Sequence, residues 1–269
     1  MVEPKKSLGQ HWLNNDKIID EIVEFSGVKA GNNVLEIGPG EGALSQKLLD
    51  RGAILSAVEV DHESIRHLQK RFKGKELFHL IKQDIREFDL SQMPKNYKVV
   101  ANIPYYLTAN LIRKFINTLN KPVSTTLLVQ KEVAERLVTK PGKMSLISVL
   151  TQAWYDVSLG NIVDASEFTP PPKVDSQVVK LDLRTDPPFG NNWDEFKKSW
   201  PEYEKTVAAG FNQPRKKLRS SFAAGMGVSK EVAEEILKKA EIDQNLRAQE
   251  LTLEQWSEIQ KVLDKNKQK

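Results

Sequence analysis

Between residues 33 and 184, short apolar runs alternate with stretches of helical periodicity. That alternation restricts the chain to a mainly parallel sheet with helices on both faces. Residues 34–37 read as a strand, 43–51 as a helix ended by Gly52, and 54–60 as the next strand. A helix over 62–72 follows, then strands at 77–81, 99–101 and 126–129. Helical segments near 108–119, 131–138 and 144–153 separate them, and runs at 155–163 and 177–184 are expected to add an antiparallel edge. Ahead of the sheet, residues 15–25 set Ile18, Ile19, Ile22 and Val23 on one face, which gives a leading amphipathic helix.

After Thr185-Asp186-Pro187-Pro188 the strand signal stops. From about residue 193 the pattern is helical to the end, broken at Gly225-Met226-Gly227 and around 243–249. The proline pair marks a boundary. The expected organisation is an α/β domain over residues 1–186 and a small all-helical domain over 187–269.

Composition narrows the function classes. The chain has no cysteine, so disulfides, zinc–cysteine clusters and thiol nucleophiles are excluded. No apolar run approaches the ~20 residues that span a bilayer, and Met1-Val2-Glu3-Pro4-Lys5-Lys6 is followed by no apolar signal core, so a cytoplasmic protein without membrane contact is expected. The net charge is only +4, but cations cluster at Lys5/Lys6, at Lys70-Arg71-Lys73-Lys75, at Arg215-Lys216-Lys217-Arg219, and at Lys265, Lys267 and Lys269. Solvated faces explain most such clusters. Four cations in five residues beside Phe211 and Gln213 suit a phosphate-contacting surface better. His11, His62, His67 and His79 show no ligand spacing, so no metal is expected.

Glu36-Ile37-Gly38-Pro39-Gly40-Glu41-Gly42-Ala43 joins a strand to a helix, a place where glycines let a ligand approach the backbone and the helix N–H groups. The spacing also satisfies a permissive dinucleotide fingerprint, with Glu59 placed to hold a ribose, so a dehydrogenase is a rival. Glu36 and Glu41, however, would repel a pyrophosphate and suit a ligand carrying ammonium and sulfonium charges. Asp84, in Gln83-Asp84-Ile85, is placed to accept a hydrogen from an adenine amine. Three acids closing successive strands beside a glycine turn fit S-adenosylmethionine (SAM).

Asn102-Ile103-Pro104-Tyr105 closes the strand at 97–101. Asparagine and proline are common in turns, but this combination also solves a chemical problem. An exocyclic adenine amine is a poor nucleophile because its lone pair is delocalised into the ring. The Asn102 side chain and a nearby carbonyl can accept its hydrogens, while Tyr105 stacks on the base.

With these motifs in order, the chain resembles the ribosomal RNA small-subunit adenine N6,N6-dimethyltransferases essentially from end to end. Ser7-Leu8-Gly9-Gln10-His11-Trp12-Leu13 is similar to the family's N-terminal SAM motif, Glu36 to Gly42 to its glycine loop, Glu59 to its ribose acid and Asp84, with Ile85 beside it, to its adenine acid. Asn102 to Tyr105 resembles the catalytic loop, 168–176 (Phe168-Thr169-Pro170-Pro171-Pro172 onward) the target-base loop, and 211–219 the helical-domain signature. Trp12 stands where phenylalanine is usual, Ile103 where leucine is commoner, and Pro214, a residue suited to a first helical turn, where arginine is frequent.

The resemblance implies a Rossmann-like SAM-dependent methyltransferase domain with Gln10, His11, Leu13, Glu36, Gly38, Gly40, Gly42, Glu59, Asp84, Ile85 and Asn102 around the cofactor. It implies catalysis by Asn102, Ile103, Pro104 and Tyr105, with Phe168 packing on the target base from the other side. Arg215, Lys216, Lys217 and Arg219 would bind RNA. The implied substrate is a pair of adjacent adenosines in the 3′-terminal hairpin loop (helix 45) of 16S rRNA in the 30S subunit, modified by a monomer late in assembly. A large-subunit 23S rRNA methyltransferase of the macrolide-resistance type and a non-enzymatic nucleic-acid-binding relative stay open as alternatives.

Overall fold

The computed structural model describes residues 4–5, 8–190 and 192–267. Lys6, Ser7 and Lys269, which belong to motifs read above, lie outside the described residues. The chain divides into two compact units, Met1–Glu135 with Asp156–Leu183, and Arg136–Tyr155 with Arg184–Lys269.

In the first unit a short strand β1 (Trp12–Leu13) leads to helix α1 (Asp16–Ser26). Asn15 caps α1 by accepting from the Lys17 and Ile18 N–H groups, and Gly27 ends it in the left-handed region. Its buried stripe of Ile19, Ile22 and Val23 is the face expected from the sequence. The alternating region follows as β2 (Asn33–Ile37), α2 (Ala43–Asp50), β3 (Ile54–Glu59), α3 (His62–Arg71), β4 (Phe78–Lys82), β5 (Lys98–Asn102), α4 (Thr108–Asn117) and β6 (Ser124–Gln130). Next in the chain come α5 (Lys131–Leu137), α6 (Leu146–Trp154), which belongs to the second unit, and then β7 (Tyr155–Val163), β8 (Phe168–Thr169) and β9 (Ser176–Leu183).

The main sheet has seven strands in the order β4-β3-β2-β5-β6-β9-β7. The five from β4 to β6 pair in parallel, and β9 pairs antiparallel to β6. The parallel strands are apolar and largely buried, Val34, Leu35, Leu55 and Val100 completely so, as a sheet covered on both faces requires. Strand order reverses between β2 and β5. At such a switch point the connections after the two strands diverge and leave a crevice beyond their carboxyl ends.

A second, two-stranded sheet was not foreseen. Trp12 pairs with Thr169 and Leu13 with Phe168 in an antiparallel β1–β8 ladder. Two residues per strand carry no usable periodicity, so this element is invisible to pattern reading.

The second unit contains α6, α7 (Trp193–Gly210), α8 (Leu218–Met226), α9 (Lys230–Lys239) and α10 (Leu253–Lys267). Its core closes on Trp256, fully buried against Gly210, where an added Cβ would lie 2.1 Å from the indole ring. Residues 211–217, read from sequence as helix, instead form turns ahead of α8. Pro214 therefore sits in a turn and not in a first helical turn. The Leu218 and Arg219 N–H groups that open α8 donate to the Leu246 and Gln244 carbonyls, which fixes the helix start after the cations.

Candidate active site

A crevice of about 440 Å³ opens at the switch point, within the range of small-molecule sites. The segment before α1 contributes Gln10, His11 and Leu13 to its wall, the end of β2 contributes Glu36, and the turn after it contributes Gly38 and Gly40. The end of β3 supplies Glu59, the turn after β4 supplies Asp84 and Ile85, and the end of β5 with the loop after it supplies Asn102, Ile103, Pro104 and Tyr105. Residues spread over about a hundred positions thus meet because parallel strands end on one side.

Gly38 and Gly40 adopt left-handed φ angles of 65° and 55°, which fold the turn flat against the crevice. Gly42 does not line it. With φ of 82° it starts α2, and a Cβ there would lie 2.7 Å from the Phe72 ring, so its role is to let α2 and the end of α3 approach.

The acids differ in state. Glu59 is 4% exposed; its carboxylate accepts from the Gly40 N–H at 3.2 Å, the Val60 N–H at 2.8 Å and the Asp61 N–H at 2.9 Å. Burial raises its pKa, and those three donors pull against the rise. Glu36 is 1% exposed and accepts from the Ser45 hydroxyl at 2.5 Å. Burial first, with the Glu59 charge adding, pushes it up to about 8 despite that bond. Glu36 is therefore largely neutral at pH 7 in the ligand-free protein and does not supply the standing charge inferred from the sequence. Asp84 is held low, chiefly by Arg86, whose guanidinium forks onto both carboxylate oxygens at 2.5–3.1 Å. An adenine amine would share an acceptor already oriented by that fork.

The residues of the Asn102–Tyr105 loop are tied to the N-terminal segment. The Asn102 side-chain amide donates to the His11 carbonyl at 3.1 Å, which turns Oδ1, the acceptor, away from that bond. Tyr105 stacks on the His11 ring at 5.9 Å and 19°, and its hydroxyl shares a 2.7 Å hydrogen bond with Ser176 Oγ. His11 Nδ1 in turn sits 2.7 Å from the Pro170 carbonyl. Asn14 Nδ2 donates to Thr169 Oγ1 at 2.6 Å and Asn15 Nδ2 to Glu167 Oε2 at 2.9 Å. The N-terminal motif and the 168–176 loop, read separately in the sequence, are one hydrogen-bonded assembly. Lys5 joins it to α3: its ammonium pairs with Asp61 at 2.5 Å and Glu63 at 3.3 Å.

Phe168 is not brought to the crevice. It is 3% exposed and packs in the core with Leu13, Ile19, Val163 and Val178. Its place opposite Leu13 in the β1–β8 ladder turns the ring inward. In the helical unit the four expected cations divide. Arg219 pairs with Glu234 at 3.0 Å and Lys217 donates to Asn245 Oδ1 at 3.0 Å, whereas Arg215 and Lys216 stand exposed in the turn before α8.

The crevice also includes Trp12, from the N-terminal motif, and Arg71, Arg86 and Tyr106, none of these three expected there. Arg71 anchors the glycine turn by donating to the Glu41 carbonyl at 2.8 Å. In sequence it is one more cation in a helix-end cluster. Tyr106 carried a signal, since it extends an aromatic pair directly from Tyr105.

The site fits SAM. A buried carboxylate preset by main-chain donors could hold a ribose, the glycine turn leaves room beside it, and the Glu36 carboxyl in the same wall would ionise next to an ammonium. Among the described residues no cluster of three or more His, Cys, Asp or Glu could hold a metal ion, and no helix is long and apolar enough to cross a membrane.

A Rossmann-like sheet with a SAM crevice at its switch point, closed by an Asn–Ile–Pro–Tyr loop, defines a SAM-dependent methyltransferase. The chain belongs to the ribosomal RNA adenine dimethylase family, whose model matches residues 1–265. It is 36% identical over 261 residues to the ribosomal RNA small subunit methyltransferase A of Dehalococcoides mccartyi, covering 96% of this chain and 88% of the relative. Its structure is similar to that of a dimethyladenosine transferase from Plasmodium falciparum, with a TM-score of 0.78, 25% identity, and coverage of 96% and 98% of the two chains. It is also similar to the 23S rRNA methyltransferase ErmE, with a TM-score of 0.71, 24% identity, and coverage of 94% and 99%, a likeness of fold alone.

Proposed function

We propose that this member of the family dimethylates N6 of two adjacent adenosines in the 3′-terminal hairpin loop (helix 45) of 16S rRNA, acting as a monomer on the maturing 30S subunit in the cytoplasm. The observation that carries the chemistry is the convergence of Asn102, Tyr105, Glu59 and Asp84 on one crevice. The small-subunit target rests on the full-length relative named for that activity.

In this reading Glu59 holds the ribose of SAM, Asp84 with Ile85 its adenine, and Gln10, Gly38 and Gly40 its methionine end, with Glu36, His11 and Leu13 completing the wall. When bound, SAM supplies an electrophilic methyl group on its sulfonium. The target adenosine, already unpaired in a loop, is splayed into the crevice at modest unstacking cost. Asn102 Oδ1 and the Ile103 carbonyl accept the two N6 hydrogens and favour a pyramidal nitrogen, turning its lone pair toward the cofactor side. Pro104 fixes the loop, and Tyr105, held by His11 and Ser176, stacks on the base. No residue is assigned as a base, because the amine becomes strongly acidic once alkylated and its proton can leave afterwards. Positioning and preorganised dipoles carry the rate. Arg215 and Lys216, with Lys217 and Arg219 behind them, contact RNA phosphates.

The test is methyl transfer from labelled SAM to unmethylated 30S subunits, with methylated 30S and 23S rRNA in parallel. Labelling of unmethylated 30S alone supports the assignment. Labelling of 23S rRNA moves it to the resistance type, and SAM binding without transfer to either moves it to a non-enzymatic binding protein.

A further inference from the structure

We propose that Tyr106 and Arg86 form a second nucleotide platform at the mouth of the crevice, taking the base and phosphate next to the target adenosine; this rests on the function proposed above. Tyr105 is positioned by His11 beside its ring and Ser176 on its hydroxyl, and the proposed function already gives it the target base. Tyr106 follows it in a short 3-10 turn and lines the same crevice, yet it is 59% exposed. It is the one aromatic among the large apolar side chains left exposed in the described residues.

Tyr106 is not loosely placed. Its ring lies on the Gly9 backbone, where an added Cβ would be 3.3 Å from Cε1 and 3.4 Å from Cδ1. A ring backed on one side and open on the other is the form of a stacking platform for an unpaired base, and such stacking tolerates any base because every base has a π face. Purines stack over the larger area, which favours a second adenosine there.

Charge lies beside the ring. Arg86 also lines the crevice and is 64% exposed, so its guanidinium keeps donors for a phosphate even while forked onto Asp84. Lys114 donates to the Arg86 carbonyl at 3.0 Å, which holds that backbone and adds a second cation. A base on the ring with its phosphate on these cations would place the neighbouring nucleotide one step from Asn102. A one-nucleotide shift of the strand would then exchange the two adenosines between crevice and platform.

Steady-state kinetics on unmethylated 30S subunits decide this, with SAM affinity measured alongside. Removing a base-stacking ring is expected to raise KM for 30S about tenfold in Y106A, with kcat within about threefold and SAM affinity within about twofold of wild type. Y106L, which keeps apolar bulk without a π face, should behave like Y106A, and Y106F should restore KM. Wild-type KM in Y106L, or a Y106F defect equal to that of Y106A, overturns the platform while leaving the proposed function intact. Wild-type enzyme inactive on 30S overturns both.

Discussion

The side-chain amide of Asn102 donates to the main-chain carbonyl of His11 across 91 positions of sequence, at 3.1 Å. That bond fixes the amide orientation. One N–H is committed to the protein, and in the proposed function the oxygen is the atom that meets a substrate N–H. It also makes the N-terminal segment part of the support of the Asn102–Tyr105 loop.

In the proposed function, replacing Asn102 by alanine removes one of two acceptors for the N6 hydrogens. Loss of a preorganised dipole of this kind lowers kcat by about 10²–10³. Cofactor affinity should change much less, and 30S binding should persist if docking is carried by the helical unit. Single-turnover transfer and 30S co-sedimentation measure the two. Loss of docking along with turnover would show that the chemistry and the docking are not separable.

Glu36 makes a prediction about pH. Its pKa in the folded protein, about 8, lies above the ordinary value of 4.5, so the native state holds a proton that the unfolded chain has lost. Stability from this group is full below the ordinary value and is lost as pH rises toward 8. Urea midpoints at pH 5 and pH 8 should show that loss in wild type, and it should be smaller by more than about 1 kcal/mol in E36Q. A bound ammonium would ionise Glu36, so SAM binding at pH 7 should release a proton. Calorimetry in buffers of different ionisation enthalpy should detect that release in wild type and not in E36Q.

Phe168 is inside the core, so its truncation is a packing lesion. F168A should destabilise the protein by about 3–5 kcal/mol, and F168L, which keeps most of the volume, should retain both fold and turnover. If F168L folds normally but loses activity on RNA, the ring contacts the target base in a state with the 168–176 loop rearranged.

The basic group in the helical unit should split by role. Charge removal in R215A/K216A should weaken RNA binding and flatten its dependence on salt by roughly one to two contacts. R219A breaks an ion pair with Glu234 instead and should act mainly on the local structure around α8 and α9. Binding of 16S rRNA across a salt series separates them, and equal salt slopes for R215A/K216A and wild type would remove these cations from the interface.

What the sequence revealed and what it hid have physical causes. The parallel strands were legible because their apolar runs are buried on both faces, and the leading helix because Ile19, Ile22 and Val23 repeat on one stripe. The acids and glycines of the crevice were legible because each closes a strand. The β1–β8 ladder was not, since its pairing joins segments more than 150 residues apart over two positions each. Glu36 was identified as a wall residue, but its charge state depends on burial that no local pattern encodes. The turn at 211–217 was hidden because its cations are good helix formers, and the constraint that stops the helix comes from the distant Gln244 and Leu246 carbonyls.

Nucleoside mass spectrometry of 16S rRNA from unmethylated 30S subunits incubated with this protein and SAM tests the central claim most directly. N6,N6-dimethyladenosine at two adjacent positions in the 3′-terminal hairpin loop is the expected product, forming about 10²–10³-fold more slowly with N102A. Monomethyladenosine as the final product, dimethylation elsewhere, or unmodified 16S rRNA alongside dimethylated 23S rRNA would contradict it.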